Sequence, residues 1–300
     1  MKHEFFGYEI AGVKLHAAID VQLLNNNIHN STLGAWFDWQ AQGLRVSGNL
    51  FYENDRDLMI EVTHGLYKVD NNIFASNYNF DNVAQGGAYI HNLCCGTMRR
   101  IDCRDRSTPY HFPHSTEVAG SVIVYGGDDR LYHNIFVGGT EDTGEESRYG
   151  TEGYDGHPSS WKEYLDIIVS KGNTDHEKFQ ETLDAVYING NAYLKEAPAY
   201  VQEKQNFKSS ADPNVKIVET AEGTYLEMDI EEGVLEIPTE VICTETLGMP
   251  RITEAPFDDP EGNSIIFDRD YFGNKRSVKP TPGPIEGLKA GHNRICVWEA

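Results

Sequence analysis

A ladder of asparagines runs through the first half of this chain. Each rung is an Asn followed by an aliphatic residue: Asn27-Ile28, Asn49-Leu50, Asn72-Ile73, Asn92-Leu93 and Asn134-Ile135. Their spacings are 22, 23, 20 and 42, the last being two periods of 21. Three positions before each Asn stands another apolar residue: Leu24, Val46, Val69, Tyr89 or Leu131. Helical periodicity is absent from about Gly12 to Gly139, where short runs of Val, Ile, Leu, Phe and Tyr end in Asn and Gly. A period of about 20–25 residues with short strands makes each repeat one coil of a solenoid.

The pattern predicts an all-β chain built on a right-handed parallel β-helix, in which strands of successive coils pair in parallel. A corner Asn can hydrogen-bond the Asn of the next coil and so satisfy turn groups that would otherwise be buried unpaired. Asn27, Asn49, Asn72 and Asn92 are therefore expected to stack at one corner.

Two acidic residues keep step with the ladder. Asp38, in Trp36-Phe37-Asp38-Trp39, lies 11 residues before Asn49, and Glu61, in Met59-Ile60-Glu61-Val62, lies 11 before Asn72. They share one column on adjacent coils. Stacked strands lie about 4.7–4.9 Å apart, close to the roughly 5–5.5 Å carboxyl separation of a retaining glycosidase. Alternation along a strand sends Phe37 and Ile60 inward and Trp36, Asp38, Met59 and Glu61 outward. His16, 11 residues before Asn27, extends the column by one coil. A single acidic residue on such a face is ordinarily just solvated. A like-charged stacked pair is destabilising unless it shares a proton or serves a ligand. With the Trp36 indole beside it, this strip suits a sugar. Repulsion from ionised Asp38 is expected to raise the pKa of Glu61.

Charge narrows the choice of ligand. Twenty-five basic and 47 acidic residues give −22, a field that repels nucleic acid and anionic membranes and disfavours polyanionic substrates. A small neutral oligosaccharide remains compatible, and no cofactor is implied. The five cysteines, Cys94, Cys95, Cys103, Cys243 and Cys296, are odd in number and lack a zinc spacing. Cys94-Cys95 fits buried small hydrophobes, and the set fits a reducing, cytoplasmic setting. The opening Met1 to Gly7 has no signal-peptide pattern, and no stretch approaches the roughly 20 apolar residues of a membrane span.

Several segments leave the repeat. Arg104 to Thr116 interrupts the ladder, and Pro109 and Pro113 argue for a loop rather than a strand. It carries Arg106, Tyr110, His111 and His114, polar groups suited to sugar hydroxyls, and is expected to fold over the Asp38–Glu61 strip. Pro113 argues against helical metal ligation by the two histidines, so no metal is expected. Tyr125-Gly126-Gly127-Asp128-Asp129-Arg130 is a second acidic cluster, either a turn with a local Asp–Arg pair or part of a site. In an insertion at about 139–186, Trp161, Tyr164, Leu165 and Ile168 recur at helical spacing. So do Phe179, Leu183 and Val186, after the cap candidate Asn173-Thr174-Asp175. A further coil resumes from Val186 to Tyr193, giving a solenoid domain over residues 1–208. Residues 209–300 form a β-rich tail packed on it, with strands at Val215–Val218, Thr224–Met228 and Val234–Ile237.

Leu33-Gly34-Ala35-Trp36-Phe37-Asp38-Trp39-Gln40-Ala41-Gln42-Gly43, Ile60-Glu61-Val62-Thr63-His64-Gly65, the Asp105–Thr116 segment and Gly126-Gly127-Asp128-Asp129-Arg130 together resemble glycoside hydrolase family 120. The resemblance runs over roughly residues 8–205. It implies a pectate-lyase-like β-helix and retaining β-xylosidase action from the non-reducing end of short xylo-oligosaccharides. It also implies Asp38 as nucleophile and Glu61 as general acid/base. His16, Trp36, His64, Arg106, Tyr110, His111, His114 and Asp129 are the expected substrate contacts. Family members are longer, with upstream coils and a β-sandwich, so the resemblance further implies a homo-oligomer or association with an N-terminal half. An inverting, polygalacturonase-like hydrolase centred on Asp128 and Asp129, or a glycan-binding fragment without catalysis, is the alternative.

Overall fold

Each passage of the chain makes three short strands separated by corners. A computed structural model describes residues 9–300 except Asp142, Glu145 and Asn173. The Met1–Gly7 stretch thus lies outside the described residues, as does Asn173 of the cap candidate. The first coil is β1 (Val13–His16), β2 (Gln22–Leu24) and β3 (Asn27–His29). The second is β4 (Leu33–Asp38), β5 (Leu44–Ser47) and β6 (Leu50–Tyr52). The third is β7 (Arg56–Glu61), β8 (Tyr67–Asp70) and β9 (Ile73–Phe74), and the fourth β10 (Tyr78–Val83), β11 (Gly87–Ile90) and β12 (Leu93–Cys94). The fifth begins with β13 (Thr97–Arg100) and detours through a hairpin, β14 (Cys103–His111) and β15 (Val118–Val124). It then resumes with β16 (Arg130–Tyr132) and β17 (Ile135–Val137). Beyond β18 (Ser147–Arg148), α1 (Trp161–Ser170) and α2 (Asp175–Glu181), the coil path returns with β19 (Tyr187–Asn189), β20 (Asn191–Leu194) and β21 (Asn206–Lys208).

These strands stack into three sheets, ordered β1-β4-β7-β10-β13, β2-β5-β8-β11-β16-β19 and β3-β6-β9-β12-β17-β20-β21. Their neighbours are parallel, with β18 joining the first sheet antiparallel. The chain is all-β with parallel sheets, as the period implied. Inward residues of all three sheets, among them Phe37, Ile60, Phe80, Val46, Val69, Phe51 and Phe74, form one apolar core.

The corner chemistry explains the period. Asn72 Oδ1 accepts both the backbone N–H and the Nδ2 of Asn49, at 3.0 and 2.9 Å, while Asn72 Nδ2 donates to Val46 O. The same pattern links Asn72 to Asn92, Asn92 to Asn134 and Asn134 to Asn191. Before each rung sits a residue in the left-handed region: Gly48, Asn71, His91, His133 and Gly190, at φ of 65°, 56°, 56°, 57° and 75°. Asn and Gly suit that conformation.

Sequence reasoning put the first rung one residue late. Asn26, not Asn27, donates to Asn49 Oδ1, whereas Asn27 enters β3 beside Leu50. Correspondingly Leu23 faces Val46 inside and Leu24 is exposed. The cause is an uneven coil: His16 to Asp38 is 22 residues, but Asn26 to Asn49 is 23.

The expected loop at residues 104–116 is mostly a hairpin, with Pro109 opposite Ser121. A two-stranded ribbon has an open edge on each strand, where a missing N–H need not cost a ladder bond. Helix α2 ends at Glu181, so Leu183 and Val186 lie beyond it, and Val186 is drawn into the apolar core shared by the three sheets instead. Val234–Ile237 is not a strand. A short helix α3 (Glu232–Leu235) stands there, because Val234 and Ile237, three apart and both buried, suit one helical turn as well as an extended run. The tail's sheet is β22 (Lys216–Thr220), β23 (Gly223–Ile230) and β24 (Gly291–Glu299), all antiparallel.

The tail covers two of the three outer faces. Leu226, Met228, Ile230 and Val234 pack on Leu50, Ile73, Leu93 and Ile135 of the third sheet. Ile242, Leu247, Phe257 and Phe267 pack on Leu66, Ala88 and Ile90 beside the second. The hairpin instead brings Val124 against Val62, Val83 and Met59 of the first sheet. No helix among the described residues is long and apolar enough to cross a membrane.

Two predictions test this architecture. Asn72→Ala strands the buried backbone N–H of Asn49 and leaves its Nδ2 with only Leu23 O and Ser47 O as acceptors. At about 1–3 kcal/mol for a buried group left unpaired, the loss should be about 1–3 kcal/mol. A urea midpoint that hardly moves would refute the ladder's role.

The second prediction concerns the tail's clasp. Arg276 is buried and donates to Asn71 Oδ1 at 2.7 Å, to Gly283 O and to Pro284 O, beside the adjacent, mutually tilted rings of His91 and His133. Burial first, and then the Arg276 charge, hold His91 well below the usual imidazole range and His133 at about 3. An unfolded His takes up its proton near pH 6.5, which the folded clasp refuses. The stability contribution is thus present above about 6.5 and lost as pH falls toward about 3, with a slope of up to about 1.4 kcal/mol per pH unit per group. Replacing His133 by Gln should narrow the stability gap to the parent as pH drops from 6.5 to 4; a gap of constant width in denaturation curves would contradict this.

Candidate active site

Parallel register carries the first sheet's outer column from coil to coil. His16 pairs with Asp38, and Phe37 pairs with Ile60, so Asp38 and Glu61 follow one register step on at the ends of β4 and β7. Directly after Glu61 the chain bends sharply through Val62, at φ 43°. A left-handed β-branched residue stores strain of order 1–3 kcal/mol, and the packing of Val62 against Val83 and Val124 holds it.

The two carboxyls have unequal surroundings. Asp38 Oδ2 lies 2.8 Å from Lys14 Nζ and 3.2 Å from His16 Nδ1, while Oδ1 accepts the Trp39 backbone N–H at 2.7 Å. Glu61 Oε2 accepts the Trp36 indole N–H at 3.1 Å, and its Oε1 is 3.8 Å from Arg106 Nη2. Each indole also carries a cation: Lys14 Nζ is 3.9 Å from the Trp36 ring centre, and the Arg106 guanidinium is 5.0 Å from that of Trp39.

The pKa directions diverge accordingly. Burial pushes Asp38 upward, but hydrogen bonds from Lys14, His16 and the Trp39 N–H, with the Lys14 charge, outweigh it and bring Asp38 below the usual carboxylate value. Glu61 is raised, first by burial, then by the charge of Asp38 and a hydrogen bond shared with it; Trp36 and Arg106 oppose this. Burial thus leads where sequence reasoning expected repulsion to lead. One carboxylate kept ionised beside one inclined to hold a proton is an acid–base pair.

Of the other expected contacts, His16, Trp36 and Arg106 meet the pair. Arg106 does so from the irregular stretch of β14, where Cys103 pairs with Val124 but Thr108 already pairs with Val122. Such bulges re-aim side chains. The rest serve the hairpin or the core. His64 is buried, with Nε2 2.9 Å from Thr108 O and Nδ1 3.0 Å from Gln85 Nε2, and Tyr110 meets its ring edge-on. The His111 backbone exchanges hydrogen bonds with the Gln42 side chain. His114 bridges Asp20 and Asp258, at 3.0 and 3.2 Å. Asp129 is buried, taken up by the Gly87 N–H, Asn82 and the hydroxyls of Tyr67 and Tyr154. It is a fully buried carboxyl, which corrects its placement among the substrate contacts. Its neighbour Asp128 is engaged by Arg130 and the Arg251 N–H.

Sequence reasoning missed Lys14, Trp39 and Thr108. Lys14 had a signal, since it stands two residues before His16 on the same strand and so on the same face. Trp39 is fixed by its Nε1–H, which donates to Thr108 Oγ1 at 3.1 Å and so ties strip to hairpin. Nothing local in the sequence announces that pairing.

No protein family and no curated protein matches the sequence. Among solved structures the chain is similar to the complex of XylC with xylose, at 45% identity and a TM-score of 0.93. The similarity covers 99% of this chain and 46% of that one, so the chain spans about half the length of the protein it matches.

The geometry predicts a titration change that requires no substrate. Trp36→Phe removes the indole donor that favours ionised Glu61, so the Glu61 titration midpoint should rise. Carbon-13 NMR of the labelled carboxyl measures it, and an unchanged or lowered midpoint would contradict the arrangement.

Proposed function

We propose that this chain is a retaining, exo-acting glycoside hydrolase of the family 120 kind, releasing xylose from short β-1,4-xylo-oligosaccharides. The observation that carries the reading is the Asp38–Glu61 pair: consecutive in one column of a parallel sheet, with pKa directions that diverge. Adjacent strands at about 4.7–4.9 Å leave the room for a retaining pair, whereas inversion needs roughly 6.5–9.5 Å to hold a water. Similarity to a protein solved with xylose supports xylose as the sugar unit. Exo-action and the β-1,4 linkage rest on the family resemblance.

In this mechanism Asp38 attacks the anomeric carbon as the glycosidic C–O bond breaks, and Glu61 gives its proton to the leaving oxygen. The charge of Asp38 disappears into the ester, which lowers the pKa of Glu61. Glu61 then takes a proton from water, whose oxygen replaces Asp38 at the same carbon. Two inversions give net retention. His16, Trp36 and Arg106 line the sugar site.

The reading extends to the whole protein. Its sheets are taken to close as a right-handed parallel β-helix over residues 1–208, with residues 209–300 as the tail. A cytoplasmic protein working as a homo-oligomer, or with an N-terminal half, completes the proposal. The inverting alternative finds little support, since Asp129 is buried and Asp128 engaged by arginines.

Asp38→Ala is expected to be inactive and to regain turnover with azide as the inverted glycosyl azide. Glu61→Ala should still be glycosylated by activated aryl xylosides but stall afterwards. An inverted first-formed sugar by NMR, or a fully active Asp38→Ala, would sink the mechanism; no release from any xyloside would favour a glycan-binding fragment.

A further inference from the structure

We propose that Lys14 is a positioning residue that serves both steps of the reaction. It holds Asp38 charged for attack and, once Asp38 is esterified, directs its freed charge at Glu61 across the Trp36 indole. This inference rests on the retaining mechanism above.

The geometry is a chain of three contacts. Lys14 Nζ is 2.8 Å from Asp38 Oδ2 and 3.9 Å from the Trp36 ring centre, and the same indole donates to Glu61 Oε2 at 3.1 Å. One ammonium therefore touches Asp38 directly and is linked to Glu61 through a flat polarisable ring. Parallel register puts it there, since Lys14 pairs with Trp36 as His16 pairs with Asp38.

The other charged groups facing the pair are less suited to this role. His16, also on β1, has its side chain 55% exposed. Arg106, from β14, stands 3.8 Å from Glu61 with its side chain 46% exposed, so solvent screens it. Glu9, before β1, also contacts Lys14, but its side chain is 70% exposed, against 18% for Lys14 itself. Lys14 is the sheltered cation of the strip.

The consequence follows the bonds. In the first step Asp38 Oδ bonds to the anomeric carbon, the leaving oxygen departs with the proton of Glu61, and the carboxylate partner of Lys14 becomes a neutral ester. The Lys14 charge is then uncompensated except by exposed Glu9, and it favours ionised Glu61. In the second step a water proton passes to Glu61, the water oxygen bonds to the anomeric carbon, and Asp38 leaves as carboxylate, again paired with Lys14. The ammonium thus favours whichever carboxyl must be ionised at that stage.

Lys14→Met should move two separate acid limbs upward. The limb of kcat/KM reports Asp38 in the free enzyme. The limb of kcat with an activated aryl xyloside, whose second step is limiting, reports Glu61 in the glycosylated enzyme. The first should rise by about one pH unit or more, as expected when a close opposite charge is removed, the second by a smaller but measurable amount across the ring, and Lys14→Arg should restore both. A uniform fall in rate with both limbs in place would overturn the proposal, since that is what a merely structural residue gives. If Lys14→Met does not fold, Lys14→Gln, which keeps a polar stem, takes its place under the same criteria. Failure of the Asp38 and Glu61 variants to behave as above would overturn the retaining mechanism itself. Limbs unmoved while those variants behave as expected would overturn the Lys14 role alone.

Discussion

The shared acceptor at each Asn corner is the constraint on which the rest depends. One Oδ1 takes two donors of the rung before it, and the Nδ2 returns a bond to a carbonyl one coil back: Asn72 Nδ2 reaches Val46 O, and Asn92 Nδ2 reaches Val69 O. All of these groups are buried, so a slip of one residue would leave several of them unpaired at once. It would also turn every side chain of the slipped strand to the other face. Glu61 would then point into the core and Ile60 out of it. The carboxyl pair is therefore set by a corner on the far side of the second sheet, because the 23 residues from Asn49 to Asn72 are the 23 from Asp38 to Glu61.

The ladder needs an end as much as a repeat. At the last rung, Glu203 Oε1 accepts the N–H and Nδ2 of Asn191, standing in for the carbonyl of one more Asn. Burial pushes its carboxyl up to about 7, and Tyr193 donates to its other oxygen. Covering elements then decide which face is left for chemistry. The tail packs its apolar residues on the second and third sheets, and the hairpin packs on the first just beyond the carboxyl column.

The parts of this structure legible in the sequence repeat within it. Period, inward Phe37 and Ile60, and the shared column of Asp38 and Glu61 all follow from counting, because each coil tests the count made on the last. What failed was non-repeating. Asn26 lost its place to Asn27 since the first coil is short by one between His16 and its corner, and a neighbouring Asn stood ready to fill the count. Pro109 suggested a loop because its cost depends on whether the strand has an open edge, which is a property of the partner strand. His64 on the third coil and His114 on the hairpin, both read as sugar contacts, tie the hairpin to the coils and the tail, and no local pattern announces that role. Asp129 could be read two ways in sequence, and only the packing of Tyr67 and Tyr154 around it decides.

Two stacked carboxyls in a chain of net charge −22 present an electrostatic problem that distance alone does not solve. With identical neighbours, repulsion would split their titration without assigning the proton to either one. Here the neighbours differ in kind. Asp38 receives an ammonium, an imidazole and a backbone N–H, while Glu61 receives an indole N–H and a more distant guanidinium. Strong donors to one side fix the charge there, and burial with that fixed charge keeps the proton on the other. The asymmetry is one of neighbours along the column: β1 brings Lys14 and His16 against Asp38, whereas the residue that β10 sets beside Glu61 is the apolar Val83. A repeat supplies the equal spacing of the two groups, and the residues that change from coil to coil supply their difference.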